Sequence, residues 1–135
     1  MKRRLTYRLS QTQAVLTAAA YCAVIFFISS RPRPTEELLL PTGPIPHFVE
    51  YLGLGTLAWV NLWLRRPLPN RFHRLHASLA FCAFYAFTDE IHQAFVPLRS
   101  CEPIDWLIDI AGSLSGIMLM EWLTARRSIN LKRAG

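Results

Sequence analysis

Side chains able to move protons or grip an anion fall into three short groups along the chain. His47, Glu50 and Tyr51 form the first, Asp89, Glu90, His92, Gln93 and Arg99 the second, Asp105 and Asp109 the third. Residues three and four apart share a helix face. Helical spacing therefore aligns His47 with Glu50 and Tyr51, Asp89 with His92 and Gln93, and Asp105 with Asp109. His47, Glu50, Asp89 and Glu90 are the candidate catalytic residues, since carboxyl and imidazole groups are the usual general acids and bases. Tyr51, His92, Gln93, Arg99, Asp105 and Asp109 are the candidate substrate-binding residues. Arg99 can grip a phosphate or carboxylate through its planar donor fork.

Other chemistries leave thinner traces. His47-x-x-Glu50 and Asp89-x-x-His92 resemble the ligand pairs of carboxylate-bridged helix bundles and would suit zinc or manganese. Such pairs are common, so no metal ligands are assigned and the cofactor is left open. There is no glycine-rich phosphate loop, so nucleotide use is not expected.

The elements that must position these groups follow from composition. The chain has 135 residues, enough for about one domain. It is 52% hydrophobic and only 18% charged, which excludes a disordered chain. Three cysteines cannot make a disulfide framework. The apolar residues sit in long runs, and a membrane-spanning helix needs about 20 of them. Four runs qualify, at 12–29, 47–64, 76–95 and 105–122. They do not alternate as barrel strands would. Arg31 to Pro34, Pro41 to Pro46, Arg65 to Asn70, and Pro97 with Pro103 fall between them, where proline breaks helices. The expected fold is all-α: an integral membrane bundle of four transmembrane helices in one domain.

Orientation follows from the basic residues. Twelve of the fifteen flank the amino terminus (Lys2, Arg3, Arg4, Arg8), the second connection (Arg65, Arg66, Arg71, Arg74) and the carboxyl terminus (Arg126, Arg127, Lys132, Arg133). The positive-inside bias places both termini in the cytoplasm. The +6 charge then reads as an orientation signal with contact to anionic lipid headgroups, not as a nucleic-acid surface. The first run continues past Ala18 to Ala20 through Phe27, which suits an uncleaved anchor better than a signal peptide. Of the nine acids, all but Glu121 map to the outer side. Ionisable groups at membrane depth usually face a bundle interior, so the second, third and fourth spans are expected to form an outward-opening polar pocket. Gly112-x-x-x-Gly116 permits close helix approach. Trp59, Trp63, Trp106 and Trp122 read as interfacial belt residues. Ser29 and Ser30 end the first span at the level of the pocket and can add hydroxyls. Cys101, in the outer connection, can cross-link two chains, so a homo-oligomer is left open.

His47-Phe-Val-Glu50-Tyr51-Leu-Gly53-Leu, then Thr88-Asp89-Glu90-Ile-His92-Gln93-Ala-Phe-Val-Pro97-Leu-Arg99, then Asp105 with Gly112 and Gly116, resembles the VanZ-like family. The resemblance covers most of the chain. It implies a small protein of the bacterial cytoplasmic membrane, in a family whose founding member is associated with resistance to the glycopeptide teicoplanin. The chain departs from the family pattern at Thr42 to Pro46, where an Asp-Lys pair is frequent, at Leu98, where glycine is frequent, and at Asp109, where asparagine is frequent.

Three functional readings follow. The first is an enzyme acting on an envelope lipid or lipid-linked glycan. The second is a non-catalytic membrane factor binding such a precursor and altering antibiotic susceptibility. The third is a polar network that only locks the helices together.

Overall fold

The computed structural model describes residues 2–32, 44–64 and 70–133, with side chains for 11–32, 44–64 and 70–126. Four helices make up the described chain: α1 (Lys2–Ser29), α2 (Pro44–Leu64), α3 (Arg71–Gln93) and α4 (Pro103–Arg133). No strand occurs among the described residues. Outside the described side chains lie Lys2, Arg3, Arg4, Arg8, Arg33, Pro34, Glu36, Glu37, Pro41, Thr42, Gly43, Arg65, Arg66, Arg127, Lys132 and Arg133.

Each expected run became a helix, with shifted ends. α2 starts at Pro44 and holds Pro46 in its first turn. The expected break therefore does not extend to Pro46, because the first amides of a helix have no intrahelical acceptor to lose. Pro103 opens α4 in the same way, two residues before the expected start. Asn70 caps α3 by accepting the His73 backbone N–H at 2.9 Å. α3 ends at Gln93 rather than Phe95. There the backbone tightens into turns, with Phe95 N–H on His92 O and Val96 N–H on Gln93 O, both at 3.0 Å. α1 and α4 run well beyond residues 12 and 122.

α2 is the centre of the bundle. Its broadest packing is against α4, and it also contacts α1 and α3. Glycine makes the α2–α4 seam close. A Cβ at Gly112 would strike the Phe48 carbonyl oxygen, one at Gly116 the Leu52 oxygen, and one at Gly55 the Ser113 oxygen. The expected role of Gly112 and Gly116 is thus realised, with Gly55 as their counterpart on α2.

Acids are buried beside an apolar core, and many large apolar side chains face outward. Asp89, Glu90, Gln93, Asp109 and Glu121 are buried, while Phe27, Phe84 and Phe95 are 69%, 69% and 81% exposed. In water, acids are almost never fully buried unless paired, and large contiguous apolar surfaces are rare. Two stretches, Gln11–Ser29 and Pro103–Arg126, are long and apolar enough to cross a membrane by length and composition.

Candidate functional site

The ends of α1 and α3 and the starts of α2 and α4 meet at one end of the bundle. Two polar clusters form there. In the first, His47 lies between two acids of α4, with Nδ1 at 3.1 Å from Asp109 Oδ1 and Nε2 at 3.7 Å from Asp105 Oδ2. Glu90 joins from α3, and its Oε2 accepts the Glu102 backbone N–H at 2.9 Å. The remaining oxygens, Glu90 Oε1 and Asp109 Oδ2, are buried without a hydrogen-bond partner among the described residues, as is the Tyr51 hydroxyl. His47, Glu90 and Asp109 each offer one ligand-type atom, all within 4.8 Å of one another.

The second cluster is a relay across α3. Ser29 Oγ is 2.6 Å from Asp89 Oδ1. Gln93 donates to Asp89 Oδ2 at 3.0 Å. Arg99 Nη1 donates to Gln93 Oε1 at 3.0 Å, and Arg99 Nε donates to the Arg31 carbonyl at 3.0 Å. His92 turns to α1, where Nε2 is 2.9 Å from Ser30 Oγ and its ring stacks on Phe26 at 4.3 Å. Glu50 is half-buried between the clusters, within electrostatic reach of His47, Asp89, Asp109 and Arg99. Tyr21 fixes that turn by donating to the Glu50 backbone carbonyl at 3.0 Å.

The site residues read from sequence therefore gather at one end, with two corrections. First, α1 is part of the site, since Ser29, Ser30 and the Arg31 carbonyl hold Asp89, His92 and Arg99. Second, the one-helix pairs His47–Glu50 and Asp89–His92 form no hydrogen bond among the described residues: His47 meets Asp109 of α4, His92 meets Ser30, and Asp89 takes Ser29 of α1 together with Gln93 of its own helix. A groove of about 280 Å³ lies at the other end beside Gln11, Val15, Leu16 and Asn61. Chemically, the first cluster is an imidazole set between acids. The second ends on a guanidinium oriented by amide and carbonyl oxygens.

Leu98, next to Arg99, has a φ of 64°. That left-handed conformation costs an L-residue about 1–2 kcal/mol. It gives a physical reason for glycine at this position. Leu98→Gly is expected to stabilise the protein by about 1 kcal/mol, read as a raised melting temperature in detergent. An unchanged or lower melting temperature would show that the turn is not strained.

A third cluster, at the far end, is not evident from sequence. Glu121 accepts from Trp59 Nε1 at 3.0 Å and pairs with Arg71 Nε at 3.0 Å and Arg74 Nη2 at 3.3 Å. Trp59 is 1% exposed and stacks on Trp63 at 5.0 Å, so it is a core residue and not a belt residue. Its signal was the single inner acid in the fourth run, level with Arg71 and Arg74.

The sequence model of the VanZ/LLP1 family matches residues 8–124, a stretch containing all three clusters. No curated protein and no solved structure matches the chain.

Proposed function

The chain belongs to the VanZ/LLP1 family, and on that premise we propose that it crosses the bacterial cytoplasmic membrane four times, with both termini inside, and binds a cell-envelope lipid or lipid-linked precursor at its outer end. The observation that carries the reading is where the polar residues lie. Asp89, Glu90, Gln93, Asp105 and Asp109 are buried at one end of helices whose perimeters are apolar. Arg71, Arg74 and Arg126 mark the opposite end, and the positive-inside bias puts that end in the cytoplasm. α2 and α3 can then cross the membrane because their acids face the bundle, which a count of charges along each helix does not register.

Arg99 is the phosphate- or carboxylate-binding group in this reading, held in place by Gln93 and the Arg31 carbonyl. Asp89 and Ser29 brace Gln93, and Glu50 lines the approach. Teicoplanin susceptibility would change through sequestration of the bound precursor. A second reading, a network that only joins the helices, is favoured by the close hydrogen bonding of Ser29, Asp89 and Gln93.

One experiment separates the two. Full-length variants are expressed in bacteria, and co-purifying lipid, teicoplanin susceptibility and melting temperature are followed together. Arg99→Ala is expected to weaken lipid retention about thirtyfold, equivalent to ~2 kcal/mol for losing a hydrogen-bonded contact to a charged group. Asp89→Ala and Glu50→Ala are expected to impair function more than Glu36→Ala or Glu37→Ala. Equal tolerance of all five, or losses that only follow melting temperature, would leave the structural network standing and remove the binding role.

A further inference from the structure

We propose that His47, Glu90 and Asp109 form a binding site for one divalent transition cation, zinc or manganese, at the junction of α2, α3 and α4. The three residues come from three helices and are 7%, 2% and 0% exposed. One ligand-type atom from each lies within 4.8 Å of the other two. Ligand atoms about a tetrahedral zinc with bonds of about 2.0–2.2 Å stand roughly 3.3–3.6 Å apart, and adjacent ligands about an octahedral cation with similar bonds about 3 Å apart. The 3.1 Å between His47 Nδ1 and Asp109 Oδ1 is a hydrogen-bond distance that also fits adjacent ligands, the shared proton being released when a cation binds.

The unpartnered oxygens point the same way. Buried polar atoms almost always have a partner, yet Glu90 Oε1 and Asp109 Oδ2 have none among the described residues. Their neighbours are otherwise in place. Glu90 Oε2 is anchored by the Glu102 N–H. Asp105 stands 3.7 Å from the far ring nitrogen of His47, where metal-bound imidazoles usually meet an orienting carboxylate. Around the trio, Glu50, Asp89 and Asp105 add negative charge. A dication would satisfy the orphaned oxygens and offset that charge together. One imidazole with two carboxylates is a donor set that suits zinc or manganese.

Cation binding does not depend on the lipid reading, so the test uses metal alone. Purified full-length protein in detergent is stripped with chelator, then titrated with zinc and with manganese by calorimetry, with elemental analysis of the dialysed product. The expected result is one equivalent bound and a raised melting temperature. The near-isosteric Glu90→Gln and Asp109→Asn should each weaken binding by at least about a hundredfold, and Asp105→Asn by about tenfold. Glu102→Gln, whose contact with Glu90 is through the backbone, should bind as the unmodified chain does. Helical content and the melting temperature of the stripped variants verify folding. Less than one equivalent bound by the folded protein, or affinity unchanged in folded Glu90→Gln and Asp109→Asn, would overturn the proposal.

Discussion

Gly112→Val is expected to destabilise the protein by at least about 3 kcal/mol, beyond the usual range for overpacking, and to leave little folded material. At Gly112 the obstacle to a side chain is backbone: the Phe48 carbonyl oxygen, with Leu52 N behind it. Neither can rotate away. α2 would have to withdraw along its broadest interface, and His47 and Tyr51 sit on the same stretch of α2. Gly53→Ala provides the contrast. There the added carbon meets the far end of the Tyr21 side chain, which can swing aside. The expected cost is about 1 kcal/mol, roughly that of the lost hydrogen bond to the Glu50 carbonyl. Melting in detergent, read by circular dichroism, measures both. Similar melting temperatures for the two variants would mean that the α2–α4 seam is looser than described.

Glu121→Ala carries the second large effect, about 3 kcal/mol. Glu121 is 5% exposed and its carboxylate serves three donors. The Arg71 partner is 68% exposed and adds little. Arg74 is different: its side chain is 15% exposed, and its guanidinium lies 4.9 Å from the Trp63 ring centroid. Removing one member of a buried pair costs about 3–5 kcal/mol because the other charge remains without its counter-ion. Arg74 keeps some exposure, which places the loss at the lower end. Trp59 Nε1 would also lose its acceptor. Glu121→Gln keeps an oxygen for Trp59 and should lose about half as much. A melting temperature for Glu121→Ala within error of the unmodified chain would show that the cluster contributes no stability.

The sequence was informative wherever a one-dimensional pattern has a single physical meaning. Long apolar runs separated by proline must be helices, and their number was right. Where the helices begin was less legible, because proline is excluded from a helix interior but accepted in its first turn, as Pro44, Pro46 and Pro103 show. Alternation of the helices also predicts that the candidate residues collect at one end. Gly112 and Gly116 mark a seam from spacing alone. Partner choice was not legible. Residues three or four apart share a face, but the spacing is silent on how each helix is rotated about its axis.

His47 and Glu50 could therefore be placed side by side without being partnered. The tertiary structure gave His47 to Asp109, turned His92 toward Ser30, and brought in Glu90 from α3 to complete a trio. α1 carries no charge within its apolar run, so only Ser29 and Ser30 hinted at its place in the site. Trp59 reads as an interfacial residue until Glu121 is seen to accept its N–H.

Hydrophobic run length and the alternation of helix directions, both readable along the chain, determined by themselves that this is an all-helical protein whose candidate site residues gather at one end. The tertiary structure alone decided which carboxylate meets which imidazole or guanidinium. Those contacts depend on helix rotation, and rotation is set by interhelical packing: glycines closing on carbonyl oxygens between α2 and α4, and buried acids drawing donors from neighbouring helices.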